Sequence, residues 1–116
     1  MQCLTFLQTL LTMEAMAEYT DAARSRVAAG DTEHQNVLIE AERIEELLST
    51  GTLVIEPAPV PALLTEALRA FSSKIRARIE AGEAVLRETL DEVETVRRYL
   101  DAGEIRIEPA PIATAA

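Results

Sequence analysis

The sequence predicts a mainly α-helical fold made of two copies of a helical hairpin, four helices in all, with a short β-strand after each hairpin. Three observations support this prediction: an internal repeat with an offset of 52 residues, apolar residues at helical spacing in both halves, and β-branched segments that follow glycines near residues 51 and 103. Of the 116 residues, 48% are hydrophobic and 27% charged, a balance typical of a small globular unit and not of a disordered chain.

The repeat aligns residues 9–60 with residues 61–112 without a gap, and 17 of the 52 aligned pairs are identical. The clearest match is Ile-Glu-Pro-Ala-Pro, which occurs at residues 55–59 and again at 107–111. A unit of this size rarely buries its apolar face alone, so we expect the two copies to share a core. The predicted organisation is 1–60 for the first hairpin and strand, and 61–116 for the second hairpin, its strand and a Pro/Ala tail, either as one compact unit or as a pseudo-symmetric pair.

Each copy is predicted to contain a helix, a second helix, a strand and a proline-rich exit. The first helix is expected to begin as early as Leu4, because apolar residues continue from that point. All four glycines follow a periodic run, where a left-handed residue ends a helix at little steric cost. Asp31 and Glu83 are expected to cap or charge the start of the second helices. The predicted shared core consists of large apolar residues: Leu4, Leu7, Leu11, Met16, Tyr19, Leu68, Phe71, Ile75, Leu86, Leu90 and Leu100.

The two strand segments are the best functional lead in the sequence. A strand of four or five residues has little stability alone. It must therefore pair with its repeat mate, which is the favoured interpretation, or add to a sheet of another chain. The second alternative makes the strand ends and their prolines a candidate partner-binding site: Ile55, Glu56, Pro57, Ile107, Glu108 and Pro109.

Charge and composition exclude several classes of protein. The net charge of −9 argues against direct nucleic-acid binding, which needs clustered Lys and Arg. The charge is uneven, with a net −7 in residues 9–60 and a net −2 in residues 61–112. No apolar stretch is long enough for a membrane span, and no cationic leader precedes the first apolar run, so a cytoplasmic protein is expected. The single cysteine, Cys3, cannot form an internal disulfide.

No residue pattern indicates catalysis, a cofactor or a metal site. His34 is the only histidine, and its repeat partner is Leu86, so a structural role is expected. An acidic run on the second helix of the first copy is interpreted as a solvated face. The run consists of Glu40, Glu42, Glu45 and Glu46.

Two arginine pairs recur near the ends of the first helices in both copies, at positions 24 and 26 and at positions 76 and 78. Cations are favourable at a helix C-terminus, and we expect these arginines to pair with an acid of the second helix such as Glu40 or Glu92. A binding site for an acidic partner is the alternative interpretation.

These observations predict a non-enzymatic structural or interaction subunit of a larger protein assembly. Such a subunit forms a homo-oligomer or is held by a protein partner, with no nucleic acid, membrane or cofactor involved. A first alternative is an acidic inhibitor that mimics the charge of a nucleic acid and occupies a basic groove through the acidic run. A second alternative is a component of a bacteriophage virion.

Overall fold

The structure, a computed structural model, describes residues 2–109. Four helices and two strands occur in this range, and the predicted mainly helical architecture is confirmed. They are α1 (Phe6–Ala28), α2 (Gln35–Thr50), β1 (Thr52–Ile55), α3 (Ala62–Glu80), α4 (Arg87–Asp101) and β2 (Ile105–Glu108). A single 3-10 turn precedes α2 (Thr32–His34), and another precedes α4 (Ala84–Leu86). Residues 110–116 of the predicted Pro/Ala tail lie outside the described residues.

The start of α1 is fixed by a reciprocal cap. The Thr5 hydroxyl accepts a hydrogen bond from the Gln8 backbone N–H, and the Gln8 side chain accepts one from the Thr5 N–H, both at 3.1 Å. The helix therefore begins at Phe6 and not at Leu4 as expected. Leu4 lies instead beside β1, where its N–H donates to the Leu53 carbonyl at 3.0 Å.

Each hairpin turns on a glycine that follows the first helix. Gly30 has a φ of 104° and Gly82 a φ of 114°, so both occupy a region that favours glycine. The predicted capping by the next acidic residues is wrong, since neither side chain caps a backbone N–H. Asp31 instead accepts a hydrogen bond from Arg26, and Glu83 from Arg78, because these arginines stand one turn earlier at the end of the first helix.

The strands β1 and β2 form a two-stranded antiparallel sheet, which confirms the predicted internal ribbon. Leu53 pairs with Ile107, and Ile55 with Ile105. In the repeat, Leu53 aligns with Ile105 and Ile55 aligns with Ile107. Exchanging the two copies therefore converts the first pair into the second. The register is therefore that of two strands related by a two-fold axis through the central pair, Val54 and Arg106.

Gly51, which precedes β1, corrects the expectation for the four glycines. It is extended, with a φ of −99°, so the left-handed conformation predicted there is wrong. A Cβ atom at this position would lie 2.7 Å from the Glu108 carbonyl oxygen and 2.8 Å from the Leu47 carbonyl oxygen. Gly51 is therefore required by the close approach of β2, and no steric signal of this kind is visible in a sequence.

The core is shared by both hairpins and by the sheet. Its buried residues come from all four helices and from both strands, and Met16, Ile44, Leu68 and Val96 are among those fully enclosed. Most of the predicted core is buried or packed against it, but Leu7 is 51% exposed, so its assignment to the core is wrong.

Candidate protein-docking groove

A groove runs along the outside of the first hairpin, between α1 and α2. Its volume is about 690 Å³, and we call it the first-hairpin groove. Met13 and Ala17 of α1 and Leu48 of α2 contribute apolar surface, and Glu14, Glu42, Glu45, Glu46 and Ser49 complete its lining.

The apolar part of the groove continues along α1 toward its N-terminus. Phe6, Leu10, Met13 and Ala17 follow one another at intervals of four, three and four residues, which places them on one face of the helix. Phe6 is 79% exposed and Leu10 is 44% exposed. We call these four residues the apolar stripe. The solvent-exposed face of a surface helix normally carries polar residues, so this exposed face is unusually apolar.

The second hairpin has the same helices 52 residues further on, but its side chains close the equivalent space. Arg69 stands where the first hairpin has Ala17, and it donates a hydrogen bond of 3.2 Å to Asp101. Asp101 stands where the first hairpin has Ser49. Arg97, in the place of Glu45, forms ion pairs with both Glu94 and Asp101. Arg69 thus bridges α3 and α4, whereas Arg97 neutralises Glu94 and Asp101 within α4.

Glu94 has three partners within the second hairpin. Its carboxylate accepts hydrogen bonds from the Ser72 hydroxyl at 2.5 Å and from Arg76 at 2.6 Å. The hydrogen bond from Ser72 is the main influence that lowers the pKa of Glu94 below its ordinary value, and the charges of Arg76 and Arg97 lower it further, against the opposing effect of burial.

Glu42 aligns with Glu94 in the repeat, 52 residues earlier, but it has none of these partners. Thr20 replaces Ser72, but its hydroxyl donates to the Met16 carbonyl of its own helix at 2.9 Å. Arg24 replaces Arg76, but it bonds to Asp21 at 2.7 Å. Within residues 2–109, Glu42 therefore forms no hydrogen bond or ion pair through its carboxylate, and the same holds for Glu14, Glu45 and Glu46.

Three of the four residues of the predicted acidic run line the groove, and the fourth does not. Glu40 lies outside the groove and accepts two hydrogen bonds from Arg43, which lower the pKa of Glu40. The expected pairing of a recurrent arginine with an acid of the second helix occurs for Arg76, but its partner is Glu94 and not Glu40 or Glu92. Arg24 and Arg26 bond to acids near their own helix end, and Glu92 instead accepts a hydrogen bond from Gln8.

Some of the strand residues predicted to bind a partner make contacts within the chain itself. Ile55 and Ile107 lie in the ladder opposite β-strand neighbours, and Glu108 lies opposite Thr52. Glu56 forms an ion pair with Arg106 across the sheet. The prolines that follow each strand, Pro57 and Pro109, are exposed.

No metal site is formed by His34 or by other ligand side chains in the part of the chain that the structure describes. His34 is half-buried at the end of the 3-10 turn, and no group of three or more His, Cys, Asp or Glu side chains is arranged to hold a metal ion among residues 2–109. None of the helices in this range is both long and apolar enough to cross a membrane.

No protein-family model, curated protein or solved structure matches this chain.

The groove was not predicted from the sequence, although the alignment of the two copies contains a signal for it. Arg69 and Asp101 are opposite charges in one copy, and Ala17 and Ser49 are both uncharged in the other. A joint loss of two opposite charges at aligned positions indicates a contact that only one copy makes. The acidic run was interpreted as a solvated face because the helical pattern alone does not show which acids face a neighbouring helix.

Proposed function

We propose that this chain is a non-enzymatic interaction subunit of a protein assembly and that it binds a protein partner in the first-hairpin groove. The observation that supports this most directly is the contrast between the hairpins. One hairpin closes the space between its helices with Arg69 and Asp101, whereas the other leaves an apolar groove bordered by unpaired carboxylates. Exposed apolar surface next to a concave site is typical of a protein-binding surface.

We also propose that the two halves descend from one duplicated unit. The 17 identical pairs support this, as does the offset of 52 residues between the 3-10 turns of the two hairpins. The symmetric register of the sheet supports it as well. After duplication, one copy retains a self-neutralised face and the other presents a binding face.

Mimicry of a nucleic acid is a weaker proposal for the same acids. It requires a convex row of free carboxylates, but Glu40 is paired with Arg43, and Glu45 is half-buried beside the groove. The remaining acids border a concave apolar surface, a shape suited to receiving a side chain or a helix.

Site-directed photo-cross-linking in the native cells tests the proposed function. The full chain carries the cross-linking residue at position 49, and a matched chain carries it at position 101, the aligned position on the second hairpin. We expect a discrete cross-linked partner only from position 49, and we expect Ala17→Arg, which fills the groove, to abolish it. Equal products from both positions, or none from position 49, would contradict the proposal. The mass of the product distinguishes a second copy of this chain from a different protein.

A further inference from the structure

We infer that the first-hairpin groove takes a cationic amphipathic helix of a different protein, whose Lys or Arg side chains neutralise the groove carboxylates and whose apolar face covers the stripe of α1. This inference rests on the proposed function and names the chemistry of the partner.

The helical form of the partner follows from the shape of the surface. Two antiparallel helices leave a long groove between them into which the ridge of a third helix packs. From Phe6 to Ala17 the apolar stripe spans twelve residues. Eleven steps of 1.5 Å give a length of about 16 Å, which corresponds to three turns of a bound helix. An apolar face with residues at positions i, i+4, i+7 and i+11 matches this length.

The charge of the partner follows from the second hairpin, which supplies an internal example of the missing ligand. There, Arg69 and Arg97 reach into the space between α3 and α4 and pair with Asp101 and Glu94. The first hairpin has Ala17 and Glu45 at the same places, so it lacks both guanidinium groups and carries an additional carboxylate. Arginine and lysine side chains of a partner restore the pairing that the second hairpin makes for itself.

A second copy of the chain does not offer such a helix. Nine of its eleven cations already form ion pairs with acids of the same chain: Arg24, Arg26, Arg43, Arg69, Lys74, Arg76, Arg78, Arg97 and Arg106. The other two, Arg87 and Arg98, lie on α4 with Asp91 and Glu94 between them. The apolar face of α4 is itself buried in the core of the chain. No helix among the described residues therefore combines an exposed apolar face with free positive charge.

Fluorescence anisotropy with a defined probe tests the inference. The probe is a labelled helical peptide of about five turns, with leucines at helical spacing flanked by lysine and arginine, and its reference is the same peptide with each cation replaced by glutamate. Binding is measured to the full chain at low and at moderate salt. We expect the cationic peptide to bind at least about tenfold more tightly than the acidic peptide, and this preference to shrink as salt screens the charges.

Two triple variants of equal net charge separate the groove from general attraction. Glu42→Gln, Glu45→Gln and Glu46→Gln together neutralise the groove, and Glu33→Gln, Glu80→Gln and Glu88→Gln together neutralise exposed acids elsewhere. We expect the first set to weaken binding at least about tenfold and the second set less than about threefold, because only close charges retain their attraction in salt. Ala17→Arg with Ser49→Asp, which copies the closed hairpin, is expected to abolish binding while circular dichroism shows an unchanged helical content.

Each outcome has a defined meaning. Equal weakening by the two triple variants, or equal binding of the cationic and acidic peptides, would overturn the inference. If photo-cross-linking at position 49 still finds a partner under those results, the proposed function stands and only the cationic character of the partner is wrong. If the captured partner is a nucleic-acid-binding protein that DNA displaces, and if Ala17→Arg leaves its binding unchanged, the acids alone hold it. The mimic is then correct and the inference is overturned.

Discussion

At the scale of single residues, Glu94 and Glu42 show how the same side chain acquires different roles. Glu94 accepts two hydrogen bonds, from Ser72 and Arg76, and Ser72 is fully buried. Glu42 is exposed and has no such partner among the described residues. A carboxylate with buried donors contributes to the stability of the fold, whereas an unpaired carboxylate at the surface is available for binding.

Replacing these two residues in turn tests the difference. We expect Glu94→Gln to lower the free energy of unfolding by about 1–3 kcal/mol, because it weakens the charge-assisted hydrogen bond from the buried Ser72 hydroxyl and the ion pair with Arg76. Glu42→Gln is expected to change it by less than about 0.5 kcal/mol. Urea unfolding at neutral pH measures both, and equal effects of the two variants would contradict this assignment.

The pH dependence of Glu94 has a defined sign. Its pKa is lowered in the folded chain, so its contribution to stability is present above the ordinary value of 4.5 and is lost as the pH falls through the folded pKa. We expect the stability of the wild type to fall more steeply below pH 4.5 than that of Glu94→Gln. Urea unfolding along an acid series measures this, and parallel curves for the two proteins would exclude a role for Glu94 in acid sensitivity.

The pH dependence of Tyr19 has the opposite sign and lies in the alkaline range. Burial, followed by the hydrogen bond of 2.8 Å that its hydroxyl donates to Glu66, raises the pKa of Tyr19 to about 12 from 10. The contribution of this group is therefore complete below pH 10 and is lost as the pH rises through about 12. We expect Tyr19→Phe to flatten the decline in stability over that interval. A decline as steep as in the wild type would show that Tyr19 does not couple α1 to α3.

At the scale of elements, the junction between α2 and β1 has the tightest steric requirement. The carbonyl oxygens of Glu108 and Leu47 both lie within 2.8 Å of the position of a Cβ atom on Gly51. We expect Gly51→Ala to destabilise the fold by about 1–3 kcal/mol, because β2 must move away from the end of α2. Thermal unfolding measures the loss, and a neutral effect would mean that the sheet lies further from α2 than described.

The elements also show what the sequence was able to predict. Periodicity and the glycines located all four helices, and the β-branched runs located both strands, because these signals are local. The exposure of Leu7 and the extended Gly51 were not predicted, since each depends on what another element places beside it. The groove was missed for the same reason: Ala17 and Glu45 acquire meaning only when α1 and α2 are seen together.

At the scale of the whole molecule, each hairpin depends on the other. Leu53 and Ile105 belong to different halves and are buried in the same core, and β1 pairs with β2. Each half alone exposes that surface and loses its strand partner, which is unfavourable for so short a chain.

Separate fragments 1–60 and 61–116 therefore test the dependence of the halves on each other. We expect each fragment, as a dilute monomer, to lose most of its helical circular dichroism, and an equimolar mixture to recover it. Sedimentation distinguishes a monomer from a fragment that pairs with itself. A monomeric fragment with native helical content would contradict the shared core.

The groove is the feature on which the functional account depends, and nuclear magnetic resonance of the full chain tests it most directly. The account predicts that the cationic helical peptide shifts backbone amide signals of residues 6–17 and 42–49, and leaves those of residues 62–69 and 94–101 unchanged. Shifts of similar size in both hairpins, or shifts confined to the second hairpin, would contradict it.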